Sequence, residues 1–189
     1  MAGTSQGTSH GFPPVCGPAP RVLVLGTLPG AESLRRQEYY GLPRNRFWWV
    51  MGQLVGAGPE LPYAARLARL AAAGVALWDV CHSAVRPGSL DTAIEAASIR
   101  PNDIAGFVAA HPTLRLLACN GATAATLLRR LVLPGAPALA ALPLVRLPST
   151  SPAHAGMPAE AKLAHWRAGL APVLSCADQP GETSPCPPP

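Results

Sequence analysis

The stretch RVLVLGTLPG, residues 21–30, runs an unbroken apolar segment into a glycine-framed turn. A short run of this kind, bounded by turn residues, reads as a strand buried on both faces. The same pattern recurs at VALWDV (75–80), LRLLACN (114–120) and LPLVRL (142–147). Helical segments alternate with these strands. AESLRRQ (31–37) is short, and RNRFWWVMGQLVG (44–56) lies between Pro43 and Gly56. PYAARLARLAAAG (62–74) is amphipathic, with Pro62 at its start and Gly74 at its end. PNDIAGFVAAH (101–111) has Asn102 or Asp103 near its start, GATAATLLRRLVL (121–133) follows the third strand at once, and MPAEAKLAHWRAGLAPVL (157–174) closes the fold. Apolar strands alternating with helices predict an α/β fold: a three-layer α/β/α sandwich around a central, mainly parallel four-stranded sheet. Such sheets bind ligands beyond the carboxyl ends of their strands. The loops after Gly26, Val80, Asn120 and Leu147 are therefore where chemistry is sought.

Composition sets the outer limits. A chain of 189 residues suits one domain with a real core. Many of the 23 prolines crowd the two ends, so residues 1–20 and 175–189 read as disordered tails around a folded unit at 21–174. The net charge is +5, and Lys162 is the only lysine. That balance is compatible with a polyanionic partner such as DNA, although arginine bias also follows from gene composition. The five cysteines are odd in number and show no C-x-x-C spacing, which argues against a zinc site, an iron–sulfur cluster or a disulfide framework. The N-terminus lacks a signal-peptide pattern and no stretch reaches membrane-span length. A soluble, cytoplasmic, reduced, monomeric protein is the expectation.

Four segments carry candidate chemistry. GTLPG (26–30) can offer backbone amides to a carbonyl or anion, but it matches neither a dinucleotide fingerprint nor a P-loop, so no nucleotide cofactor is expected. DVCHSAVRPGSLDTAI (79–94) carries Asp79, His82, Arg86, Ser89 and Asp91. It reads as a polar connection with a capped helix start at Ser89 or Asp91. RLPSTSPAHAG (146–156) holds three small hydroxyls between prolines, suited either to a stiff surface loop or to close phosphate contact. YYGLPRNRFWW (39–49) contains five of the chain's ten aromatic residues. Phe47, Trp48 and Met51 have the spacing of a buried helix face. Tyr39 and Tyr40 precede that helix, where packing explains them less well and a ring can stack on a flat heterocycle. Asn45 can cap the helix or orient a water or substrate.

Taken in order, LVLGTLPG, YYGLPRNRFW, GVALWDV, RPGSLDTAI, PNDI and LPSTSPAHA resemble the uracil-DNA glycosylase superfamily over roughly residues 21–170. Within it the chain looks most like the hypoxanthine-DNA (DNA-deoxyinosine) glycosylase branch. G-x-x-P-G followed by P-x-N-x-F-W also occurs in mismatch-specific uracil and thymine glycosylases. The resemblance implies that Gly26, Thr27, Leu28, Pro29 and Gly30 line a base pocket. Most branches place an aspartate or asparagine at the position of Leu28 to activate water. The hypoxanthine branch departs in the same way, and there the asparagine matching Asn45 carries catalysis. Tyr40 matches the aromatic that stacks on the flipped base. Pro148, Ser149, Thr150, Ser151 and His154 match the loop that presses into the duplex. Leu147 stands where some branches carry a base-polarising histidine.

The implied activity is monofunctional hydrolysis of the N-glycosidic bond of deaminated bases, chiefly hypoxanthine, in DNA repair. DNA carrying such bases is the implied partner, and neither metal nor cofactor is required. The bond breaks through a cation-like sugar while negative charge builds on the base, so stacking, amide donors and a placed water suffice. No lysine is expected near these motifs, so a Schiff-base lyase step is not expected. The alternatives are a mismatch-directed uracil or thymine glycosylase, distinguished by its preferred lesion, and a DNA-lesion-binding module without catalysis.

Overall fold

The computed structural model describes residues 7–174. Its central sheet has four parallel strands: β2 (Val22–Gly26), β3 (Val75–Asp79), β6 (Leu116–Asn120) and β7 (Leu144–Leu147). Their spatial order is β3-β2-β6-β7. Val22 pairs with Val75 on one side and Leu116 on the other, which makes β2 a central strand. All five β2 residues are buried, as its unbroken apolar run requires.

Alternation along β2 divides the core. Leu23 and Leu25 join one apolar cluster with Leu117, Ile104 and Phe107. Val22 and Val24 join another with Leu77, Phe47, Met51 and Trp166. Helices α4 (Ile104–Ala110) and α5 (Ala122–Leu127) contribute to the first cluster. Helices α2 (Phe47–Val55), α3 (Tyr63–Ala72) and α7 (Ala159–Leu174) contribute to the second. This is the predicted three-layer sandwich. Phe47 and Trp48, at 0% and 3% exposure, are core side chains. Two short helices, α1 (Ala31–Arg36) and α6 (Pro137–Ala140), complete the set, and α5 continues as one π turn at Leu128–Val132. Among the described residues no helix is long and apolar enough to cross a membrane.

Three expectations need correction. Residues 7–20 are described, and they join the fold: β1 (Thr8–His10) pairs antiparallel with β4 (Cys81–Val85), and Val15 bridges Leu77. The rest of the two expected tails, residues 1–6 and 175–189, lies outside the described residues. Second, the segment at 79–94 is not simply a polar connection. It contains β4, which also pairs with β5 (Arg100–Pro101) to make a second, three-stranded sheet. At Asp91–Ala93 there is only a single 3-10 turn, without a side-chain cap. The pairing partners of β4 are distant in sequence, so local pattern does not announce it. Third, Tyr39 is a core residue at 3% exposure, packed edge-on against Phe12.

Candidate active site

At the carboxyl end of the parallel sheet lies a cavity of about 810 Å³, within the roughly 300–1,000 Å³ usual for small-molecule sites. The site residues that the resemblance implies line it: the turn Gly26, Thr27, Leu28, Pro29 and Gly30; Tyr40 and Asn45; and Pro148, Ser149, Thr150, Ser151 and His154, whereas His82 and Arg86 of the 79–94 segment do not. The 26–45 region and the 148–154 loop, more than a hundred residues apart, thus meet in one place, because parallel strands bring their carboxyl ends to one edge.

The floor is built around the first turn. Val80 N donates to Gly26 O and Cys81 N to Thr27 O, so the chain leaving β3 runs beside the turn. Arg86, from the end of β4, is buried and grips the turn from behind. Its Nη1 donates to Leu28 O at 3.2 Å, and its Nη2 to Pro29 O. Asp91 Oδ1 stands 3.5 Å from the same guanidinium. A positive charge is thereby fixed behind the turn.

Gly26 is required by its neighbours. A Cβ there would run into Asp79 Oδ1 and come within 3.2 Å of Tyr40 Oη. Asp79, 4% exposed, ends β3 and lines the cavity. Its Oδ2 is buried and unpartnered among the described residues, as is Tyr40 Oη. Burial, reinforced by the charge of Asp91 and partly offset by Arg86, pushes the Asp79 carboxyl up to about 7. Burial next to Asp79 likewise holds the Tyr40 phenol above its ordinary range.

Tyr40 occupies the left-handed region at φ 54°, a strained conformation for a bulky residue. One face of its ring is stacked on Phe47 with centroids 3.8 Å apart. Asn45 sits two residues before α2, and its Oδ1 accepts from Phe47 N at 2.9 Å. The N-cap position itself is Arg46, without a side-chain cap, so this i to i+2 bond is a turn bond leading into the helix that holds the amide at the cavity wall.

The 148–154 loop is tied down at several points. Arg46 N donates to Thr150 O at 3.0 Å. Asn120, at the end of β6, makes a reciprocal pair with Thr150: Nδ2 donates to Thr150 Oγ1 and Oδ1 accepts from Thr150 N, both at 2.9 Å. Gly121 follows with φ 104°, and a Cβ there would press to 3.1 Å from Ser149 Cβ. Ser149 Oγ accepts from Ser151 N, shaping the tip. Lys162 Nζ donates to His154 O at 2.8 Å. The chain's one lysine, eight residues beyond His154, is thus in contact with the last motif, which corrects the expectation that no lysine stands near the motifs, although Lys162 is not among the residues that line the cavity.

A sequence model of the uracil DNA glycosylase superfamily matches residues 13–170. The chain belongs to that superfamily. Two curated relatives named hypoxanthine DNA glycosylase, from Methanosarcina acetivorans and Methanosarcina barkeri, are 39% and 38% identical to it over 113 residues. Those residues span 59% of this chain and 70% of each relative. A solution NMR structure of a candidate uracil DNA glycosylase from Methanosarcina acetivorans matches with a TM-score of 0.70 and 34% identity. The match covers 85% of this chain and 95% of that one.

Asn120 was not singled out in the sequence, although its position at a strand's carboxyl end was the available signal. Asp79 was noted only as part of a polar connection. In this uracil DNA glycosylase superfamily member both line the cavity.

Proposed function

We propose that this chain is a monofunctional DNA glycosylase that hydrolyses the N-glycosidic bond of deaminated nucleotides, chiefly deoxyinosine, acting as a monomer. The observation that carries the reading is the convergence of the 26–30 turn, Tyr40, Asn45 and the 148–154 loop on one cavity. Membership of the superfamily and the names of the two curated relatives support the same class of substrate.

The chemistry assigns each part a task. A nucleotide swung out of the duplex brings its base into the cavity. The base stacks on the ring face of Tyr40 that Phe47 does not occupy. Negative charge develops on the base as the bond to the sugar stretches. Backbone amides of the 26–30 turn, with the Arg86 charge behind them, stabilise that charge. Asn45 offers its amide to the attacking water. A cation-like sugar accepts neutral water, so Leu28 in place of a carboxylate is tolerated. The small hydroxyls of Ser149, Thr150 and Ser151 approach the phosphate backbone.

A panel of oligonucleotides carrying hypoxanthine, uracil, xanthine or a G·T mismatch, treated with alkali after incubation, tests this. Strand scission is expected first and fastest with hypoxanthine. Intact strands with both hypoxanthine and uracil would overturn the glycosylase reading. Preference for the mismatch would move the chain to the mismatch-directed class.

A further inference from the structure

The 148–154 loop is bordered by one face of α7. Trp166 Nε1 donates to Pro148 O at 2.9 Å, and Lys162 Nζ donates to His154 O at 2.8 Å. The two donors are four residues apart, hence stacked on one helix face about one turn apart. Their acceptors stand at the two ends of the loop. A rigid helix therefore sets the separation of the loop's ends.

The choice of lysine at that position is costly. Lys162 is only 3% exposed, and burial pushes its ammonium below the usual lysine range, with Arg46 adding repulsion. Its acceptor is the neutral carbonyl of His154, and it forms no ion pair among the described residues. Residues 148–156 contain no acidic side chain. A methionine of similar length would fill the space without the desolvation cost, but it could not donate. Lys162 and Arg46 together back an uncharged loop with two cations, an arrangement that suits a loop facing a polyanion.

We propose that Lys162 is a positioning residue for duplex engagement: with Trp166 one turn away, it clamps both ends of the 148–154 loop in the shape that holds a duplex open. This rests on the DNA glycosylase reading above. A loop with one end released retains its residues but loses its fixed shape. The loss falls on duplex substrate, where the loop has to act on a paired base. It falls less on a single strand, whose base is already free.

The test uses the full chain with Lys162→Met, Lys162→Arg and Trp166→Phe, the last removing the indole donor while keeping an aromatic ring. Initial rates are measured on hypoxanthine-containing duplex and on the same strand alone. Lys162→Met is expected to lose roughly tenfold or more in kcat/KM on duplex, mainly through KM, as the loss of a charge-assisted hydrogen bond implies. Its loss on single strands should be smaller. Lys162→Arg should recover most of the duplex rate. Trp166→Phe should show the same duplex-selective defect, which preserves the test if Lys162→Met fails to fold. Equal losses on both substrates, or none on duplex, would overturn the clamp. Inactivity of the wild-type chain on both substrates would instead overturn the functional reading beneath it.

Discussion

Tyr40 lies nearly flat on Phe47, with ring centroids 3.8 Å apart and planes 19° from parallel. Phe47 is fully buried and Trp166 packs edge-on against it, 6.0 Å away. The proposed base-stacking ring thus rests on the rigid core. Tyr40→Ala should cut kcat/KM on hypoxanthine DNA by about tenfold or more, given roughly 1–3 kcal/mol for a base–aromatic stack. Tyr40→Phe should keep most activity, and its melting temperature should match or exceed wild type because a buried unpartnered hydroxyl is removed. Equal activity losses in the two variants would assign the role to the hydroxyl.

Asn45 combines a structural bond with a proposed chemical role, and two substitutions separate them. Asn45→Ala loses the bond to Phe47 N, at about 1 kcal/mol in stability. Asn45→Asp keeps an acceptor there. Both should lose activity by on the order of 10²–10³, the scale of removing a positioned polar group. Near wild-type turnover in Asn45→Ala, measured on hypoxanthine duplex, would remove Asn45 from catalysis.

Gly26→Ala should destabilise the protein by about 1–3 kcal/mol, the usual range for overpacking. The added methyl collides with Asp79 Oδ1 and crowds Tyr40 Oη. Chemical denaturation gives the stability. Activity at low temperature, where the variant is folded, should also fall because the cavity floor moves. Unchanged stability would mean that the Asp79 carboxyl moves aside without cost.

Stability should depend on pH through Asp79. Its carboxyl holds a proton up to about 7 in the fold, against about 3.9 in an unfolded chain. Between those values the folded state binds more protons than the unfolded one. The contribution to stability is full below about 4, declines as pH rises from there towards 7, and levels off above 7, where both states carry the charge. The decline is on the order of 2–4 kcal/mol. Asp79→Asn should flatten this slope. Melting curves from pH 5.5 to 8.5 check it, and identical slopes in the two proteins would refute it.

Much of the sheet was legible because its strands are buried on both faces. Val22–Gly26 has no polar position to blur its signal, and the neighbouring helices have clear boundaries at Pro62, Gly56 and Gly74. Much of the cavity followed from the same logic, since the 26–30 turn, Asp79, Asn120 and Pro148 stand at or just beyond strand ends. β4 was illegible because Cys81–Val85 owes its conformation to Thr8–His10 and Arg100, which are remote in the chain. The burial of Tyr39 was illegible because it depends in part on Phe12, in a segment whose prolines suggest disorder. The bond from Lys162 to His154 was illegible because eight residues of separation do not tell whether a helical side chain turns back onto the loop before it.

The order β3-β2-β6-β7 leaves β3 at one border of the parallel sheet. A bare border strand is a template for another chain, and proteins guard against that. Here the guard is the N-terminal segment. Val15 exchanges two backbone hydrogen bonds with Leu77, and Phe12 O accepts from Trp78 Nε1. A version of the protein begun at Arg21 would keep every residue of the cavity. It would also present β3 with an uncovered margin, and should therefore self-associate in solution while its pocket remains chemically complete.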